Sequence, residues 1–301
     1  MASIAARRLT TLDLPALAAE VERARTAGEF RASSDSEAHF FHKTSELDPT
    51  LVGGAFEGDA LVGFISPEFK LVVVEPNHRR QGIGRTLVEL AVEMERDRGR
   101  PEVILGRLPH DDDARDFLLK AGFALHSVLW DLELPGPRAV EEPVWPAGHR
   151  ARTFDSPSDI APWVALFNAA FADHATPLQL DESFIAAGID DPAIDDADTV
   201  LVADEGGDLV GFCATAPERH DGVVGPRGEI WTVGVRPDRQ GHGLGRQLLR
   251  WGVRRLRDLD IERIHLSVNG RNEHALRLYE QEGFVRIRTR ERWSRPVGPG
   301  R

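Results

Sequence analysis

Val72-Val-Val-Glu-Pro-Asn-His-Arg-Arg-Gln-Gly-Ile-Gly-Arg85 and Val233-Gly-Val-Arg-Pro-Asp-Arg-Gln-Gly-His-Gly-Leu-Gly-Arg246 are two copies of one pattern, 161 positions apart. Each runs from an apolar strand through a proline (Pro76, Pro237) and a polar turn into a Gly-x-Gly and a helix. Such a junction leaves backbone N–H groups and a helix N-terminus at the end of a strand, a site suited to a pyrophosphate. The repeat continues outward. Gly122-Phe123 and Gly283-Phe284 close the two halves at the same offset.

A chain of 301 residues is long enough for two domains of about 150 residues each. The stretch Leu134-Pro-Gly-Pro-Arg-Ala-Val-Glu-Glu-Pro-Val-Trp-Pro-Ala-Gly148 reads as a linker, and the expected boundary falls between residues 139 and 140. The first half reads as a strand, a helix over 12–27, strands at 51–57, 60–66 and 69–75, and a long helix over 83–98. Strand 102–107, helix 112–121 and strand 123–133 follow. The second half repeats this order, with helices at 158–172, 180–188, 244–258 and 272–282, strands between them, and a final strand over 284–293. Short β-branched runs bounded by Gly and Pro give the strands, and 3.6-residue spacing gives the helices. Ile83, Leu87, Val88, Ala91 and Val92, and Leu244, Leu248, Leu249, Gly252 and Val253, are core stripes. Strands alternating with helices imply α/β domains with mixed sheets.

Composition narrows the function. With 41% hydrophobic residues and no apolar run near ~20 residues, the chain reads as soluble, with neither a membrane partner nor a secretory signal. Cys213 is the single cysteine, which excludes an intrachain disulfide and fits a reducing cytoplasm. No Cys cluster suggests a metal. A net charge of −12 argues against nucleic acid, which needs a basic face. Gly241-x-Gly243-x-Gly245 does not extend to the dinucleotide fingerprint, because Arg246 and Leu248 stand where a third glycine would be.

Strand, Arg/Gln-x-x-Gly-x-Gly and helix, followed by Asn272-Glu-His-Ala-Leu-Arg-Leu-Tyr279, resembles the GNAT superfamily of acyl-CoA-dependent N-acetyltransferases. The resemblance covers roughly 130 residues in each half. Its tandem layout is similar to that of mycothiol synthases and other two-domain relatives, most closely at 167–172 and 228–237. It implies two GNAT-like α/β domains, acetyl-CoA as co-substrate, and direct attack of a primary amine on the thioester. Glu229 is then the base and Tyr279, the only tyrosine, the acid. Val233 and Val235 would hold the pantetheine arm. Gln240, Gly241, His242, Gly243, Leu244, Gly245 and Arg246 would cradle the pyrophosphate, and Asn272 completes the set. In the first copy the matching positions are Val72, Val74, Arg79, Arg80, Gln81, Gly82, Ile83, Gly84 and Arg85.

In register the two copies differ. Glu68 matches Glu229, but Leu118 stands for Tyr279 and Asp111 for Asn272. Leucine donates no proton, so the second domain is the expected catalyst and the first a scaffold or a binding module. Between Gly211-Phe212 and Glu229 the second copy is thirteen residues longer, which reads as a loop at the mouth of its site. An acidic stretch, with Asp181, Glu182, Asp190, Asp191, Asp195, Asp196 and Asp198, suits either a rim that draws a cationic amine or a solvated face. The acceptor is open among small amines, amino-acid or thiol conjugates such as a cysteinyl amine, antibiotics and protein amines. A non-catalytic acyl-CoA-binding module is the alternative from another class. A monomer and a homodimer are both compatible with the sequence.

Overall fold

In the computed structural model, residues 4–28, 48–107, 109, 111–136, 141–172, 180, 182, 195–220 and 223–298 are described. The expected helix at 180–188 and the acidic residues Asp181, Asp190 and Asp191 lie outside them. The chain forms two compact units, residues 1–129 with 289–301, and residues 130–288. A single cut near 140 does not describe this division, because the end of the chain returns to the first unit.

The first unit contains strands β1 (Ile4–Arg8), β2 (Gly53–Glu57), β3 (Ala60–Ser66) and β4 (Leu71–Val74), paired antiparallel in that order. Helix α1 (Leu14–Thr26) covers one face through Leu17 and Val21, which pack with Phe64 and Val73. Helix α2 (Ile83–Asp97) covers the other, and its stripe Ile83, Leu87, Val88, Ala91 and Val92 is buried with Val62 and Ile65. Strand β5 (Glu102–Arg107) and helix α3 (Asp112–Lys120) follow.

Strands β6 (Ala124–Leu134) and β12 (Val285–Pro296) each run through the division between the units. In the first unit, β12 pairs antiparallel with β5 from Glu291 opposite Arg107 to Pro296 opposite Glu102. Trp293 is buried there against the α2 core, and Arg107 meets Glu291 at 2.7 Å.

The second unit repeats the plan. Its strands β7 (Arg150–Thr153), β8 (Thr199–Ala203), β9 (Leu209–His220), β10 (Val223–Val235) and β11 (Arg263–Asn269) form one sheet, with residues 130–134 of β6 beside β11. Helix α4 (Ile160–Ala170) covers one face through Trp163 and Phe167, against Phe212. Helices α5 (Leu244–Asp258) and α6 (Glu273–Gln281) cover the other, above Cys213, Ile230 and Ile264. Among the described residues no helix is long and apolar enough to cross a membrane.

Apart from residues 221 and 222, which lie outside the described residues, the extra residues are strand rather than loop. Strands β9 and β10 continue through them as a two-stranded ribbon that reaches Val223 opposite His220. Pro217 and Pro226, which lack an N–H, fall at or beside the irregularity between Val224 and Gly228.

Each unit also anchors the start of its first helix with an Arg–Asp fork. Arg7 reaches Asp13 at 2.7 and 2.8 Å, and Arg152 reaches the buried Asp159, whose Oδ1 is 2.6 Å away. The guanidinium hydrogen bonds hold both carboxyls below the usual carboxylate range. A depressed folded-state value adds stability that is present above about pH 4 and lost as pH falls. Asp159→Ala should therefore cost about 1–3 kcal/mol at neutral pH. The difference from the parent in urea midpoint should shrink toward pH 3.

Candidate active site

The ends of β4 and β10 carry the repeated glycine loops. In the second unit the parallel ladder between β10 and β11 runs from Arg227 opposite Arg263 to Glu229 opposite His265 and stops there. Both strands continue beyond that point, with an irregularity against β9 between Ile230 and Thr232. A gap therefore opens along Val233 and Val235. The Arg236 N–H bonds back to Val210 O at 2.9 Å. Because strand peptides alternate, the N–H groups of Val233 and Val235 point the other way, into the gap. The Gln240 side chain donates to Val235 O at 3.0 Å and folds the loop over the strand end.

The loop then exposes its amides. Gly241 and Gly243 both take φ of +81°, and open space surrounds the position of a Cβ at each. Among the described residues no backbone carbonyl accepts from the N–H groups of Gly241, His242, Gly243, Leu244 or Gly245. These are the unsatisfied donors of the α5 N-terminus and its preceding turn. Such a set fits a pyrophosphate, and the gap fits an extended arm with amide groups. Acyl-CoA has both.

Arg246 departs from the expected set. Its N–H bonds to Gly243 O at 3.1 Å, and its guanidinium pairs with Glu282 at 2.7 Å and also with Gln281. It ties α5 to α6 rather than facing the loop. Asn272 has a local task as well: its Oδ1 caps α6 by accepting from Ala275 N at 3.1 Å. Asp111 caps α3 in the same way, from Ala114 N at 2.9 Å. The Asn-to-Asp difference between the copies is therefore structurally equivalent.

Helix α6 packs onto the start of α5, where a Cβ at Gly245 would lie 4.0 Å from Leu278. It places Tyr279 in the core beneath the gap, 93% buried, with Cys213, Val268 and Phe284. Burial, reinforced by Cys213, pushes the phenol pKa up, so Tyr279 keeps its proton throughout the neutral range. Burial also pushes the Cys213 thiol up, as expected of a core residue.

Glu229 lies on the other face. A Cβ at its neighbour Gly228 would face Leu256 and Ile261 on the α5 side, so Glu229 projects toward the α4 side. There Trp231, 38% exposed, leans on Trp163 at 6.0 Å, and among the described residues the buried Trp163 Nε1 has no hydrogen-bond partner. Glu229 and Tyr279 thus stand on opposite faces of the sheet, one on each side of the gap.

The first unit keeps the loop and alters its surroundings. Arg79 replaces Gln240 and bonds to Val74 O at 2.8 Å. The Glu75 N–H bonds to Val62 O at 3.0 Å, so the N–H groups of Val72 and Val74 point away from β3, as in the second copy. Arg80 takes the place of Gly241 at φ +63°, a conformation costly for a side-chain-bearing residue. Its guanidinium pairs with Asp113 at 2.5 Å, and Gln81 bonds to Asn77 O at 3.1 Å. Gly82 caps α2 at φ +86°, Ile83 is buried, and Arg85 is exposed. A Cβ at Gly84 would meet the Phe117 ring at 3.0 Å. Leu118, in the place of Tyr279, is buried in the apolar core. Glu68 sits in a turn and pairs with Arg98 at 2.8 Å, not on a strand beside a gap.

Three described residues of the acidic stretch are structural, while Glu182 is exposed. Asp195 caps a 3-10 turn, Asp196 holds Ser156 at 2.8 Å, and the buried Asp198 pairs with Arg255 at 2.9 Å. These three carboxylates are not a free rim for a cation. Sequence reasoning missed Asp131 and Glu133, which lie 130 or more positions from their partners on β11. No local pattern marks such a contact.

The model of the acetyltransferase (GNAT) family matches residues 14–123 and 161–284. The mycothiol acetyltransferase of Sanguibacter keddieii is 34% identical over 272 residues, 87% of this chain and 84% of that protein. That of Salinispora arenicola is 31% identical over 293 residues, 93% of each chain. Among solved structures, a GCN5-related N-acetyltransferase from Sphaerobacter thermophilus superposes with a TM-score of 0.70 at 20% identity, covering 99% of this chain and 96% of that one. A tandem GNAT protein from the clavulanic acid biosynthesis pathway does so at 0.70 and 18%, covering 99% and 100%. This chain belongs to the GNAT family of acetyl-CoA-dependent N-acetyltransferases, with one copy of the fold matched in each half.

Proposed function

We propose that the second unit performs the transfer and that the first retains the fold without turnover. The observation that carries this reading is that only the second unit has a glycine loop, an open strand gap, a carboxylate on one face and a phenol on the other. Acetyl-CoA supplies the activated acyl group as a thioester. The amides of residues 241–245 neutralise its pyrophosphate, and the N–H groups of Val233 and Val235 hold the arm and polarise the carbonyl. Glu229 takes the amine's proton on the α4 face, directly or through a water. Tyr279 gives its proton to the departing sulfur on the α5 face. Attack on one face and departure on the other make a covalent acetyl-enzyme unnecessary, in keeping with the buried, protonated Cys213.

The acceptor in this proposal is the cysteinyl amine of des-acetyl mycothiol. Similarity to mycothiol acetyltransferases over 93% of both chains supports it. So do Trp231, two residues beyond Glu229, and Trp163 packed on it, an aromatic pair whose buried indole donor has no partner among the described residues. The test is CoA release, followed by chromatography because the acceptor carries a thiol, across an amine panel that includes des-acetyl mycothiol. Preference for that compound is expected, together with loss of activity in Glu229→Gln by ~10² or more. A simple amine turned over as well as the conjugate would overturn the assignment. Bound-CoA stoichiometry, measured alongside, reports the first unit: one CoA per chain is expected if it is only a scaffold.

A further inference from the structure

Opposite Glu229, at the last rung of the β10–β11 ladder, stands His265. In-register neighbours on parallel strands share a face, so the two side chains project together toward the α4 side. His265 does not stand alone. Its Nε2 lies 2.6 Å from Glu133 on β6, and Arg263 donates to the same carboxylate oxygen at 2.7 Å. The His265 and Glu133 side chains are only 14% and 12% exposed, which shields their bond from solvent. Burial pulls the Glu133 carboxyl up, but the bonds from Arg263 and His265 hold it below the usual range. An ionised carboxylate only accepts, so His265 Nε2 must donate, and in a neutral ring Nδ1 then carries the lone pair. Around this ring the charged groups are Glu229 and Arg227 from β10, Glu133 and Asp131 from β6, and Arg263 on its own strand. Asp131 is itself held by Ser267 at 2.8 Å and Arg288 at 2.5 Å.

We propose that His265, oriented by Glu133, relays the proton that Glu229 takes from the acceptor amine. The inference rests on Glu229 acting as base in the second unit. The amine N–H bond breaks as an O–H bond forms on Glu229. That O–H then yields its proton, through a bridging water, to Nδ1 of His265, producing an imidazolium that stays hydrogen-bonded to Glu133. Glu229 is thereby an anion again for the next turnover, and the imidazolium loses its proton to water after product leaves. His265 is a positioning and relay residue, since it acts through Glu229 rather than on the substrate.

His265→Gln separates relay from structure, because a glutamine Nε2 can still donate to Glu133 but has nothing in place of Nδ1. With acetyl-CoA and des-acetyl mycothiol, kcat/KM is expected to fall by ~10-fold or more, and its acidic limb to move by about one pH unit or more. The KM for acetyl-CoA and the urea midpoint should not change. Histidine ¹⁵N NMR of the wild type should show the proton on Nε2 of His265, a readout that requires no acceptor. A proton on Nδ1, or an unchanged kcat/KM and pH profile in His265→Gln beside an impaired Glu229→Gln, overturns the relay and leaves the base assignment intact. Full activity in Glu229→Gln overturns the base assignment itself, and the relay's first step with it.

Discussion

Tyr279→Phe is expected to lower kcat by ~10² or more while leaving acetyl-CoA affinity and thermal stability near those of the parent. Among the described residues no side chain bonds the Tyr279 hydroxyl, so its removal breaks no internal network. The ring supplies the packing, 6.1 Å from Phe284 and within the Cys213 core, and phenylalanine retains it. What is lost is a proton held by a buried group that stays protonated throughout the neutral range. A thiolate leaving without that proton departs more slowly, so the effect belongs in kcat. Steady-state kinetics with calorimetric CoA binding would measure both quantities. Unchanged turnover would remove Tyr279 from the mechanism. Tyr279→Leu, the residue of the first copy, should be equally slow.

The second large effect concerns the loop. Gly243 caps α5 at φ +81° with open space around a would-be Cβ. Valine is β-branched and strongly disfavoured there, so Gly243→Val must shift the backbone that aims the amides of residues 241–245. Each charge-assisted hydrogen bond so lost contributes about 1.5–3 kcal/mol. KM for acetyl-CoA is expected to rise by ~10², with a smaller change in kcat. The matched change in the first unit, Gly82→Val, imposes the same strain at φ +86° but should leave turnover intact. Equal losses from the two variants would contradict the asymmetry between the units. The strain itself is tolerable in this fold, since Arg80 already adopts φ +63° where the second copy has Gly241.

Much of this was legible in the chain. The repeat at 72–85 and 233–246 announced two α/β copies, because strand, turn glycines and helix stripe are local signals. The stripes of α2 and α5 are buried as their spacing demands. The substitution of Leu118 for Tyr279 was legible in register, and it remains the sharpest contrast between the sites. Other contrasts were misleading. Asp111 and Asn272 looked chemically distinct, yet both cap a helix, for which either side chain serves. Glu68 matched Glu229 by position, but it lies in a turn and is held by Arg98. The ribbon of β9 and β10 looked like a loop because its glycines and prolines mask a ladder with irregularities.

The sequence alone determined the duplication, the family, the two glycine loops and the leucine in place of the tyrosine in the first copy. Each depends on residues within a few turns of one another. Only the tertiary structure decided where the closing strands belong. Strands β6 and β12 end equivalent repeats, so local pattern cannot choose between the sheet edges. Residues 289–296 settle against β5, where Glu291 meets Arg107 and Trp293 fills the α2 core. Residues 130–134 settle beside β11, where Glu133 meets His265 and Arg263, and Asp131 meets Ser267. Pairing partners 130 or more positions away are selected by side-chain complementarity in three dimensions. That selection places Glu133 behind His265, across the ladder from Glu229.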